Sequence, residues 1–93
     1  MAKLEIFYLK NCPYCRNAKK ALLELEEENP AFAGVGIDWI EEREHPEIAD
    51  TRDYYNVPAV YLNGEKLYEA RPGHSYAVIR ENIRAALDRA LQG

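Results

Sequence analysis

The segment Asn11-Cys12-Pro13-Tyr14-Cys15 holds both cysteines of a 93-residue chain. Two thiols separated by two residues have few chemical uses. They can exchange with a disulfide, supply half of a metal site, or sit as a pair of buried thiols. They would make a poor structural staple, because linking residues three apart closes almost no loop and removes little entropy from the unfolded chain. Zinc takes four ligands. The two histidines, His45 and His74, fall in separate loops without ligand-like spacing, so no metal site within the chain is expected. Thiol chemistry is the use that the spacing favours. A free thiol has a pKa of about 8.5 and only the thiolate is a nucleophile, so the surroundings must favour ionisation.

A helix start provides such surroundings. Cys15, Ala18, Leu22 and Leu25 recur at three and four residues, with Ala21 beside them, which predicts a helix from Pro13 to about Glu28. Cys12 is then the N-cap, its sulfur facing the N–H groups of Tyr14 and Cys15 and the positive end of the peptide dipole. Pro13 takes the first helical position, where its missing N–H costs nothing. Cys15 lies one turn on, on the apolar face and mostly buried, its sulfur beneath that of Cys12. These positions predict the roles. Cys12 attacks a partner's disulfide, and Cys15 resolves the mixed disulfide that forms. Arg16 and Lys19 add positive potential a turn further in, Arg16 mainly as surface. Tyr14 is expected to stand exposed beside Cys12 and to touch partners.

The elements that must position this pair follow from pattern. Leu4 to Leu9 reads as a buried strand, Lys10-Asn11 as a loop, and Asn29-Pro30 as the end of the first helix, followed by a loop. Val35 to Ile40 is a second strand, with Val35, Ile37 and Trp39 on one face and Trp39 as core or sheet cover. His45 to Asn56 reads as a short helix with Pro46 in its first turn, and one of Tyr54 and Tyr55 as core. Ala59 to Leu62 and Glu65 to Ala70 flank Asn63-Gly64, a type I′ hairpin pair. Ser75 caps a last helix that reaches about Leu91, with Tyr76, Ile79, Ile83, Leu87 and Ala90 on one face. The order β-α-β-α-β-β-α predicts an α/β domain over residues 1–93, with a mixed four-stranded sheet and flanking helices. Pro58 opens the third strand at the end of the sheet that holds Cys12. A cis Val57–Pro58 bond would turn the Val57 backbone outward to pair with an extended peptide, and the isomer is open at this point.

Composition narrows the partners. The net charge of −4 argues against nucleic acid. The acidic runs Glu24–Asn29 and Glu41–Glu44 read as solvated surface. No apolar stretch approaches membrane-spanning length, and Met1-Ala2-Lys3 leads into a strand without a signal peptide. A cytoplasmic monomer is expected.

"FYLKNCPYC", "VPAVYLNGEKL" and the element order together resemble the glutaredoxins, within the thioredoxin-like fold, over nearly the whole chain. The resemblance implies that Cys12 is the nucleophile, Cys15 the resolving thiol and Pro58 the family's cis-proline. It implies reduction of protein disulfides and glutathione mixed disulfides, with no bound cofactor and with glutathione as electron donor. Some positions depart from the family's pattern. Leu9 stands where a lysine usually meets a glutathione carboxylate, with Lys10 one residue closer to Cys12. Asn56 replaces a threonine, and "RPGHSY" has the single glycine Gly73, with Ser75 in place of an acid. Lys10, Arg71, Gly73 and Ser75 are the glutathione contacts this leaves, beside Val57 and Pro58. Two alternatives stay open. One is a thioredoxin-like protein reduced by a reductase without glutathione, although Pro13-Tyr14, Asn11 and Ile6 fit thioredoxin less well. The other is an iron–sulfur or metal carrier using Cys12 in a dimer, which Pro13 and a free Cys15 disfavour.

Overall fold

The computed structural model describes residues 3–93; Met1 and Ala2, and with them the expected leaderless N-terminus, lie outside the described residues. The elements are β1 (Lys3–Tyr8), α1 (Pro13–Glu28), α2 (Pro30–Ala33), β2 (Gly36–Glu41), α3 (Pro46–Ala49), β3 (Ala59–Leu62), β4 (Glu65–Glu69) and α4 (Tyr76–Gln92). The sheet order is β2-β1-β3-β4. β1 runs parallel to β2, from Lys3 opposite Gly36 to Tyr8 opposite Glu41, and antiparallel to β3. A mixed four-stranded sheet with helices on its faces is the fold class expected from the sequence.

β1 lies inside the sheet; Leu4 and Ile6 make one face apolar, while the other carries Phe7 beyond the charged Lys3 and Glu5. Leu4 and Ile6 pack with Val60, Leu22, Ile79, Ile83 and Leu87 under α1 and α4. Phe7 turns the other way, onto Ile40, Ala49, Ala59 and Tyr61. β1 is therefore held from both sides, and the loop at its end, which carries Cys12, has a rigid origin.

Two elements differ from expectation. The chain after Asn29-Pro30 forms the short helix α2 instead of a loop. Asn29 ends α1 and also caps α2, its Oδ1 accepting from the Ala31 N–H at 3.1 Å. Pro30 is preset for the first helical position, and the turn buries Phe32. Conversely, α3 stops at Ala49 instead of running to Asn56. Long-range bonds capture the rest: the Arg52 guanidinium reaches Glu5 at 2.6 Å, and the Asp53 carbonyl accepts from the Tyr61 hydroxyl at 2.8 Å and from Lys66 at 3.0 Å. Tyr54 is the tyrosine of the pair that packs on the core, its ring tilted against Phe7 at 5.3 Å, while Tyr55 is 91% exposed.

The β3–β4 hairpin turns at Asn63 and Gly64, both at positive φ (51° and 84°), as a type I′ turn requires. β4 carries a bulge. Tyr61 faces Lys66 and Val60 faces Tyr68, so Leu67 is an extra residue.

Candidate active site

Asn11 takes a left-handed φ of 64°, which asparagine tolerates better than most residues, and this turns the chain from β1 into α1. Cys12 is the N-cap of α1, with Pro13 in the first turn. The Cys15 N–H donates to the Cys12 sulfur at 3.3 Å, and the Cys12 carbonyl accepts from Arg16 at 2.9 Å. Both cysteines are thiols, Cys12 partly exposed and Cys15 buried. The Val57–Pro58 peptide bond is cis, and the Val57 carbonyl lies 3.9 Å from the Cys12 sulfur. Cys12, Cys15, Val57 and Pro58 thus come together at one end of the sheet.

Burial, first, and then the interaction with Cys12 push the Cys15 thiol up to about 12. A cavity of about 230 Å³ opens beside both sulfurs, floored by Tyr8 and Trp39 and rimmed by Arg16 and Lys19. Trp39 is half-buried against the core and meets Tyr8 edge-on at 5.8 Å. Among the described residues, no cluster of three or more His, Cys, Asp or Glu side chains is placed to hold a metal ion. No helix of those residues is long and apolar enough to cross a membrane.

The expected glutathione contacts are less open. Tyr14 does not project from the site. It is half-buried against the core, and its hydroxyl accepts from the Gly73 N–H at 2.8 Å, joining α1 to the loop before α4. Gly73, at φ 92°, thereby spends its N–H within the chain. Ser75 caps α4, its Oγ accepting from Val78 at 3.2 Å. Lys10 pairs with Glu44, which raises its pKa through that hydrogen bond and charge. Arg71 is exposed, and its N–H donates to His74 Nδ1 at 3.3 Å.

Glu41, in an acidic run whose pattern predicts solvated surface, is instead buried, 3% exposed, at the end of β2. The cause is the loop before Cys12. Its carboxylate accepts from the Lys10 N–H at 3.3 Å and the Arg43 N–H at 2.6 Å, tying that loop to β2. Burial alone would raise its pKa, but the N–H groups of Arg43, Lys10 and Glu44, with the Arg43 charge, outweigh it and hold it below 4.5. A carboxylate depressed on folding contributes stability that is complete above its unfolded pKa and is lost as pH falls through the folded one. Glu41→Gln is therefore expected to lose urea resistance at pH 7 and to lose less further resistance than wild type between pH 5 and pH 3. Parallel curves for the two proteins over that range would refute this.

A glutaredoxin family model matches residues 4–67. The chain is 30% identical to the thioredoxin of Methanocaldococcus jannaschii over 70 residues, 75% of this chain and 80% of that protein. A mutant thioredoxin from Halobacterium salinarum superposes with a TM-score of 0.58 at 19% identity, covering 92% of this chain and 74% of that one. Oxidized glutaredoxin 2 from Chlamydomonas reinhardtii gives 0.52 at 22% identity, covering 98% and 80%. These two solved structures share the fold. The family match covers β1, the cysteine pair, the proline loop and the start of β4, and on it the chain belongs to the glutaredoxin family of the thioredoxin-like superfamily, whose general activity is thiol–disulfide oxidoreduction.

Proposed function

We propose that this chain reduces disulfides of polypeptide partners through a Cys12–Cys15 relay in a reducing compartment such as the cytoplasm. The observation that carries the reading is the Cys12 sulfur at the α1 N-cap, bonded by the Cys15 N–H and 3.9 Å from the Val57 carbonyl. The Cys12 thiolate attacks one sulfur of the partner's disulfide; a Cys12–partner bond forms and the other sulfur leaves as a thiolate and takes a proton. Cys15 then gives up its proton and attacks the Cys12 sulfur. The Cys12–Cys15 disulfide forms, and the second partner thiol leaves. The partner gains two electrons and the pair loses two, which a thiol reductant must return.

Two donors suit that last step, glutathione or a protein dithiol. The Pro13-Tyr14 dipeptide favours glutathione by resemblance. The Tyr14–Gly73 bond, the Ser75 cap and the Lys10–Glu44 pair favour a protein reductase, because each uses within the chain a group that glutathione would need. We read the protein donor as the main one, with reduction of glutathione mixed disulfides as a weaker activity.

Assays coupled in parallel to thioredoxin reductase and to glutathione with its reductase test this. The reductase assay is expected to run faster, and the reverse order would make glutathione the donor. Tyr14→Phe frees the Gly73 N–H. One hydrogen bond is worth about 0.5–1.5 kcal/mol net, so this variant is expected to reduce a glutathione mixed disulfide roughly 3- to 10-fold faster in kcat/KM. An unchanged or slower rate would show that the Tyr14–Gly73 bond does not compete with glutathione.

A further inference from the structure

The bulge at Leu67 has a consequence next to the active site. Side chains three apart on a regular strand point to opposite faces. Here the extra residue resets the alternation, so Lys66, opposite Tyr61, and Glu69, opposite Ala59, share the face away from α1 and α4. They meet at 2.7 Å and converge on the segment before Pro58. One Glu69 oxygen, Oε2, accepts from both the Tyr55 and the Asn56 N–H groups, each at 2.9 Å. Lys66 donates to the Asp53 carbonyl at 3.0 Å, as does Tyr61 at 2.8 Å. Below this, the Ala70 N–H donates to the Pro58 carbonyl at 3.0 Å. The backbone from Asp53 to Pro58 thus hangs on β3, β4 and the residue after β4. What it holds out is the Val57 backbone beside Cys12 and the Tyr55 side chain, 91% exposed.

We propose that Glu69 is a positioning residue, whose carboxylate locks Tyr55-Asn56-Val57 as a preformed docking edge for an extended, disulfide-bearing polypeptide, with Tyr55 as a contact beside the Val57 backbone. The inference rests on the oxidoreductase reading for what docks and on the hydrogen bonds alone for the lock. Two bonds accepted by one oxygen from adjacent N–H groups fix the direction of the chain that follows. Without them the edge must be ordered when the partner arrives, and that cost falls on binding. Glu69 does not touch Cys12, so the sulfur chemistry itself is left in place.

Glu69→Ala and Glu69→Gln test it, because glutamine keeps an accepting oxygen for the two N–H groups and alanine does not. With insulin as the polypeptide disulfide, Glu69→Ala is expected to raise KM about tenfold with kcat within twofold, and Glu69→Gln to stay within threefold of wild type in both. Amide hydrogen exchange at Tyr55 and Asn56 is expected to accelerate at least about tenfold in Glu69→Ala and to be rescued in Glu69→Gln. The exchange experiment reads the lock without turnover. Equal protection in wild type and Glu69→Ala overturns the lock. Altered protection with an unchanged insulin KM overturns the docking role, as does a fall in kcat alone. A wild-type protein that reduces no insulin overturns the oxidoreductase reading and the docking edge with it, whatever the exchange shows. A glutamine variant that behaves like alanine shows that charge, not the accepting oxygen, sets the edge, and overturns the proposal as stated.

Discussion

Cys12→Ser is expected to reduce insulin and glutathione mixed disulfides roughly 1000-fold or more slowly than wild type, because a serine hydroxyl without an adjacent base is a poor nucleophile toward sulfur. The loss should not come from unfolding. Serine is a good N-cap, and its Oγ can take the Cys15 N–H that Cys12 now accepts at 3.3 Å. Thermal melting is therefore expected to stay close to wild type. Cys15 cannot substitute for Cys12, because it is buried beneath that position, away from an incoming partner. Steady-state reduction measured beside circular dichroism checks both halves. Activity within tenfold of wild type would place the attacking sulfur elsewhere, and a collapsed melt would leave the rate without meaning for mechanism.

What the sequence revealed of this site was local in origin. The apolar spacing from Cys15 to Leu25 and Pro13 at a helix start need only neighbouring residues, and α1 runs from Pro13 to Glu28 as that pattern predicts. Asn63-Gly64 and Ser75 are legible for the same reason, since a turn type or a cap is set within four residues. What stayed hidden depends on partners far along the chain. Tyr14 reads as exposed until α4 places Gly73 above it, 59 residues away. Glu41 looks like one more charge in an acidic run until the Lys10 loop arrives and needs an acceptor. The Lys66–Glu69 pair is the clearest case, because strand alternation puts the two on opposite faces and only the bulge reverses this. Leu67 carried one available signal. It gives β4 two adjacent apolar residues, Leu67 and Tyr68, both packed on the α1–α4 core.

The second large effect concerns the buried thiol. In the reduced protein, iodoacetamide at pH 7 is expected to label Cys12 and leave Cys15 untouched, because a thiol with a pKa of about 12 is ionised to only about 1 part in 10⁵ at neutral pH. That reluctance suits the relay. Burial holds the Cys15 proton first, and the Cys12 sulfur reinforces it by hydrogen bond and charge. Once Cys12 is bonded to a partner's sulfur its charge is gone, and with it that part of the upward shift. Cys15 then ionises more readily when there is a mixed disulfide to attack, and not before. Cys15→Ser removes that second step alone. With a peptide disulfide and no added glutathione, this variant is expected to release the first thiol at the wild-type rate and then stop. A covalent Cys12–peptide adduct would persist at least about 100-fold longer than in wild type, visible by mass spectrometry and cleared by dithiothreitol. In Cys12→Ser the charge is absent from the outset, so Cys15 is expected to titrate at a lower pH there than in wild type. Equal labelling of both thiols at pH 7 would refute the protected Cys15 thiol, and a Cys15→Ser protein that turns over without an adduct would mean that Cys12 works alone and that the sulfur beneath it has no part in resolving the intermediate.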